Sequence, residues 1–139
     1  MTLAATQTLL AFDFGTQRVG VACGNSLLRQ AQPLQTIAAE GDKRFAHIKK
    51  IIDEWRPDAL VVGVPFHPDG AEHEITKLAR RFARQLNGRF NLPVHEVDER
   101  YSSVEAERDD PDDLDAASAA VILDQYFNEH PDDPASHSA

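Results

Sequence analysis

Two apolar runs, Leu9-Leu10-Ala11-Phe12-Asp13-Phe14 and Val19-Gly20-Val21-Ala22-Cys23, flank the four residues Gly15-Thr16-Gln17-Arg18. Runs of high strand propensity joined by a short glycine-containing turn read as a buried β-hairpin. A chain that spends its first ordered residues this way has to extend the hairpin into a sheet and cover both faces. Asp13 interrupts the pattern. A carboxylate between Phe12 and Phe14 is costly to bury unless a cation or hydrogen-bond donors meet it. The plain alternative is an aspartate that ends the strand and bonds the backbone of its own turn.

The remaining elements follow in order. Gln30–Ala38 alternates as a third strand, and Pro33 favours an edge position for it. Gly41-Asp42 is positioned to cap a helix carrying Phe45, Ile48, Ile52 and Trp55 at helical spacing, ended by Pro57. Ala59–Val64 is a continuous apolar run, the pattern of a central parallel strand buried on both faces. After the turn-rich Pro65–Gly70 comes a helix with Ile75, Leu78, Ala79, Phe82 and Leu86 on one face and Lys77, Arg80, Arg81 and Arg84 on another. Such a basic face is either simply solvated or an electrostatic footprint for a phosphate backbone.

Pro93–Arg100 reads as a strand ending in charges, and Ser102 with Glu105 can form a capping box for a short helix. Pro111 breaks that helix. The closing helix is expected to start near Leu114-Asp115 and to bury Ala116, Ala119, Ala120, Leu123 and Phe127. The order β-β-β-α-β-α-β-α-α predicts an α/β fold with a mixed five-stranded sheet and helices on both faces. A single domain over residues 9–128 is expected, between disordered segments 1–8 and 129–139.

Composition narrows the function classes. The lone cysteine, Cys23, allows no internal disulfide, and no signal-like leader or apolar run of membrane length occurs, so a soluble, cytoplasmic protein without membrane contact is expected. The net charge of −9 is unevenly spread: residues 98–139 hold only 2 of the 14 Lys/Arg but 13 of the 23 Asp/Glu. The larger first part therefore stays slightly basic. The acidic block is a solvated tail, a set of metal-binding carboxylates, or both.

Ligands of mixed sheets gather at the carboxyl ends of central strands. Three acidic positions could converge there: Asp13, either Asp98 or Glu99, and Asp115. Carboxylates brought together repel, so convergence calls for divalent cations, and hard oxygen ligands select Mg²⁺ or Mn²⁺. Two such ions can activate a water and stabilise the leaving oxygen of a phosphodiester. Taken singly, Asp115 suits a helix dipole, Glu99 could pair with an arginine, and Asp98 could end its strand in a turn. No histidine pair has metal-ligand spacing, which leaves His67, His73 and His95 as surface or loop residues.

Four blocks now stand in order: Asp13-Phe14-Gly15-Thr16-Gln17-Arg18-Val19-Gly20-Val21-Ala22; Val62-Gly63-Val64-Pro65 with Asp69-Gly70; Asp98-Glu99-Arg100-Tyr101-Ser102-Ser103; and Asp115-Ala116-Ala117-Ser118-Ala119-Ala120. Together they resemble the YqgF/RuvX family of RNase H-like proteins over roughly Leu9 to Phe127. The resemblance implies a three-layer α/β/α nuclease with Asp13, Glu99 and Asp115 as metal-binding catalytic carboxylates and Asp98 as an adjacent metal candidate whose side chain can point the other way. It also implies Arg18, Arg100 and Ser102 as phosphate contacts, alongside the Lys77, Arg80, Arg81 and Arg84 face. The implied task is trimming the 5′ end of the 16S rRNA precursor in the bacterial cytoplasm, with Mg²⁺ or Mn²⁺, on structured RNA or branched DNA and in the context of ribosomal particles, as a monomer or weak dimer.

One departure has a physical consequence. The family pattern places a longer Lys/Arg-bearing loop before the closing helix, whereas here only Glu107-Arg108-Asp109-Asp110-Pro111-Asp112-Asp113-Leu114 stands there. Cations supply much of nonspecific nucleic-acid affinity, so the isolated protein is expected to bind weakly, through the Lys77-to-Arg84 face, Arg18, Arg89 and Arg100, or through a partner. Two further readings use the same fold: a noncatalytic rRNA-maturation factor, and a junction-resolving endonuclease, which would need a symmetric dimer. Asp-x-Gly-Thr also opens the phosphate hairpin of the actin and sugar-kinase superfamily, but those enzymes close two domains and this length provides one.

Overall fold

The computed structural model describes residues 7–15, 17–65, 74–99 and 111–129, without the side chains of Glu99 and residues 111–115. Strands β1 (Thr8–Phe14), β2 (Val19–Asn25) and β3 (Ala31–Ile37) are followed by α1 (Gly41–Trp55), β4 (Ala59–Pro65), α2 (Glu74–Phe90), β5 (Val94–Glu99) and α3 (Pro111–Glu129). The sheet order is β3-β2-β1-β4-β5. β1 runs antiparallel to β2 and parallel to β4, and β4 parallel to β5. The meander and the strand-helix alternation thus share one central strand, β1, which carries Asp13.

Strand parity divides the core. Leu10, Phe12, Leu60, Val62 and Val64 join Phe45 and Ile48 of α1 and Phe82 and Leu86 of α2. Leu9, Ala11, Val61 and Val97 pack instead on Ile122, Leu123, Tyr126 and Phe127 of α3. Both faces of the central strands are covered, as a continuous apolar run requires. On the α1/α2 side Phe82 is the hub, its ring centroid 6.0 Å from Phe12, 5.0 Å from Phe14 and 5.9 Å from Phe45. β3 lies at the edge, as Pro33 requires, and its register on β2 shifts between Val21 and Ala22.

Several local expectations are corrected. α1 takes Glu40 as its N-cap residue with no side-chain capping bond, in place of Gly41-Asp42, and Gly41 adopts φ +62°. Its buried stripe is Arg44, Phe45, Ile48 and Ile51, while Trp55 in the last turn is 39% exposed. The helix stops at Arg56, whose left-handed φ of 47° lets its N–H bond the carbonyl of Ile52 immediately before Pro57. α3 begins at Pro111, not near Leu114. Proline needs no N–H partner in a first turn, so the residue read as a breaker is a starter. Thr8 already pairs in β1 and Glu129 still belongs to α3, each one residue inside the segments expected to be disordered. The short helix expected around Ser102 and Glu105 lies outside the described residues.

Candidate active site

Asp13 occupies the last full rung of β1, paired with Gly20 of β2 on one side and Gly63 of β4 on the other. Register partners face the same way, and Asp13 has the parity of Leu9 and Ala11, so it stands on the α3 face of the sheet. Neither neighbour carries a side chain. The half-buried carboxylate therefore has no side chain from either register partner beside it on its own face, at the C-terminal end of the central strand. The turn after it is tight: a Cβ on Gly15 would stand 2.7 Å from the Arg18 carbonyl oxygen. Gly15 lets the chain reverse there without displacing Asp13.

The neighbouring strand end is anchored twice. The Thr76 hydroxyl of α2, fully buried, donates to the carbonyl of Pro65 at the end of β4. On β5, Val64 pairs with Asp98 and Pro65 with Glu99. Val97 packs under α3, whereas Glu96 reaches Arg80 of α2 at 3.6 Å. Asp98 shares the parity of Glu96 and is exposed on the α2 side, so the sheet itself separates it from Asp13. Of the acidic pair, the position with the parity of Val97 is Glu99. Gln125 Nε2 of α3 donates to the Asp98 carbonyl at 3.0 Å, tying the end of β5 to α3.

α3 brings Asp115 to the same level. Ala119 and Ala120 lie against Ala22, the register partner of Ala11, and alanine on both surfaces lets helix and sheet approach closely. At the far end of the sheet Leu123 and Phe127 lie against Gly24, where an added Cβ would meet them at 3.0 and 3.3 Å. α3 thus runs antiparallel to β1. From Ala11 to Asp13 is about 6.6 Å along the strand, and from Ala119 back to Asp115 is one helical turn, about 6 Å. The backbones of Asp13 and Asp115 therefore share one end of the sheet. Among the described residues no three His, Cys, Asp or Glu side chains surround one point; the side chains of Glu99 and Asp115 lie outside them.

The expected cations are distributed differently. Arg18 is half-buried in the β1–β2 turn, at the Asp13 end. Lys77, Arg81 and Arg84 are exposed on α2, and Arg80 turns toward Glu96. All four α2 cations belong to the layer opposite α3. Arg100, Ser102, His67 and His73 lie outside the described residues, and His95 is exposed on β5, its ring 5.2 Å from that of Tyr126. Cys23 is buried, and burial pushes its thiol above the ordinary value. Three site features escaped the reading of the sequence: Gly20, Gly63 and Gln125. The glycines were visible as interruptions in apolar strands; their pairing with Asp13 was not.

Comparison with known proteins identifies the family and the fold. The family model described as RuvX, Holliday junction resolvase, matches residues 7–129. A protein of Albidiferax ferrireducens, named provisionally as a pre-16S rRNA nuclease, is 63% identical over 124 residues, covering 89% of this chain and 80% of its own. One from Paraburkholderia phytofirmans with the same name is 57% identical over 137 residues, covering 94% of each chain. Among solved structures, Thermus thermophilus RuvC in complex with a Holliday junction substrate superposes with a TM-score of 0.56 at 14% identity, over 90% of this chain and 96% of its own. That likeness establishes an RNase H-like fold. With a family model matched from Gln7 to Glu129, the chain belongs to the RuvX family.

Proposed function

We propose that this protein is a divalent-metal-dependent nuclease of the cytoplasm that hydrolyses phosphodiester bonds, with the 5′ leader of the 16S rRNA precursor as its substrate. The observation that carries the reading is the position of Asp13, on the α3 face at the end of the central strand, between Gly20 and Gly63. That position fits a ligand: an acidic oxygen whose register partners are both glycines, and two further acidic positions, Glu99 and Asp115, at the same end of the sheet. Asp13, Glu99 and Asp115 would hold Mg²⁺ or Mn²⁺, which when bound supplies a nucleophilic water and stabilises the departing oxygen. Asp98 has no part in this set because it stands across the sheet.

The chain's own contributions are positional. Gly15 and the β1–β2 turn hold Asp13 and bring Arg18 to the site's edge, where a guanidinium suits a phosphate. The Lys77, Arg81 and Arg84 stripe supplies backbone affinity from the far layer. The names of the Albidiferax and Paraburkholderia relatives support RNA as substrate. The description of the family model favours a second reading, resolution of four-way DNA junctions.

The test is cleavage of a precursor leader RNA, beside a four-way DNA junction, with Mg²⁺ or Mn²⁺, for the native chain and Asp13→Asn. The expected result is metal-dependent cutting of the RNA by the native chain only, with RNA binding in EDTA equal for both. Cutting of the junction alone would transfer the substrate to DNA. If the native chain cuts neither, the protein is a noncatalytic maturation factor.

A further inference from the structure

A concavity sits at the same end of the sheet as Asp13 but on its opposite face, between the start of α1 and the middle of α2. It encloses about 390 Å³, within the size range of small-ligand sites. Half-buried Phe14, backed by the buried Phe82, forms an apolar wall, and Arg44, Arg81 and Gln85 bring polar groups to it. Among its described lining residues the only acid is Glu40. Arg44 is 5% exposed, an unusual depth for a guanidinium. Its Nε donates to the carbonyl of Ala39 at 2.8 Å, and its guanidinium carbon lies 5.4 Å over the Phe14 ring. These two contacts orient the charged group in advance. Two cations against one carboxylate give the cavity a positive balance, and its aromatic wall and amide ask for more than a bare anion.

Phe14 directly follows Asp13. Alternation puts the carboxylate on the α3 face and the ring on the α1/α2 face, so a strand lying at Asp13 reaches this cavity by passing over the end of the sheet. We infer that the cavity binds one nucleotide, its phosphate against Arg44 and Arg81 and its base along Phe14 within reach of the Gln85 amide. The source of that nucleotide rests on the nuclease reading: a unit of the substrate strand displaced from the scissile bond. The same chemistry would also hold a free mononucleotide.

The test is binding in EDTA at low salt, where no cleavage occurs, with a fluorescein-labelled single-stranded RNA 12-mer and separately with 5′-AMP. Native protein is compared with Gln85→Glu, which places a carboxylate beside both guanidiniums. Gln32→Glu, exposed on β3 away from the cavity, adds the same charge elsewhere. Denaturant midpoints verify that both variants fold. Gln85→Glu is expected to weaken RNA binding roughly ten-fold and to reduce the salt slope by about one phosphate contact, 0.7 on the logarithmic scale; Gln32→Glu should change affinity less than about two-fold, being screened. Loss of AMP binding with RNA binding unaltered would keep the cavity and assign it a free nucleotide. Unchanged binding of both probes, or equal losses in the two variants, overturns the inference. Because no metal is present, failure of the cleavage assay would sink the nuclease reading without touching this result, and active cleavage with unaltered binding would sink only the cavity.

Discussion

Gln125 and Asp98 meet through one hydrogen bond, from the Gln125 amide to the Asp98 carbonyl, and it fastens α3 to the last turn-free residues of β5. The bond fixes the height of Glu99 relative to the helix that carries Asp115. Replacing Gln125 by leucine is expected to cost about 1 kcal/mol of stability, the usual worth of such a bond. Because the lost anchor is positional, cleavage should fall in kcat more than in KM. Urea unfolding alongside steady-state kinetics checks both; a stability loss without any kinetic change would reduce Gln125 to a packing role.

Gly63 offers the complementary experiment. Valine there places a branched side chain beside Asp13 on the same face, in a position where β propensity is satisfied. Cleavage is expected to drop by about 10²-fold, the effect of displacing a reacting group by an ångström. Circular dichroism and a metal-dependent cleavage assay separate that loss from misfolding, and near-native rates would mean the flank of Asp13 is not used.

Phe82 holds the other layer. It is 1% exposed and touches Phe12, Phe14 and Phe45, so Phe82→Ala should destabilise by about 3–5 kcal/mol. The denaturant midpoint measures it. A cost below about 1 kcal/mol would imply that α2 collapses into the vacated space.

Cys23 yields a prediction in pH. Burial raises its thiol pKa, so at a given pH the folded protein presents less thiolate than a free cysteine and should alkylate more slowly with iodoacetamide. Below the ordinary thiol range both folded and unfolded chains keep the proton. As pH climbs through that range the unfolded chain ionises first, and stability begins to fall. Comparing the native protein with Cys23→Ala from pH 7 to 10 should show the steeper decline in the native protein; parallel curves would remove the thiol from the balance.

The fold was legible because its strands announce themselves. Leu9–Phe14 and Ala59–Val64 are too apolar for anything but interior strands, and Pro33 marks an edge. Helix ends were harder, since the same chemistry serves opposite purposes: a proline read as the stop of one helix is equally suited to begin another, and Pro111 begins α3. The face of α1 was misjudged at Trp55 because a hydrophobic residue in a last turn can overhang the sheet it was expected to cover. Of the site, the residues by themselves named acidic candidates without sorting them, and only the family resemblance preferred Glu99 to Asp98. Choosing between Asp98 and Glu99 requires the register of β5 against β4, and recognising Gly20 and Gly63 as neighbours of Asp13 requires two pairings distant in the chain.

Those two pairings differ in kind. Asp13 meets Gly20 through a hairpin that closes locally, but it meets Gly63 only after β2, β3 and α1 have been threaded between, with Leu9 already aligned on Ala59. Loop closure of that span is entropically late. A nascent or partly unfolded chain can form the hairpin and still lack the parallel rung that completes the surroundings of Asp13. Hydrolytic competence would then arise in the same cooperative event as the native state, and a chain caught before it would be harmless to the RNA around it.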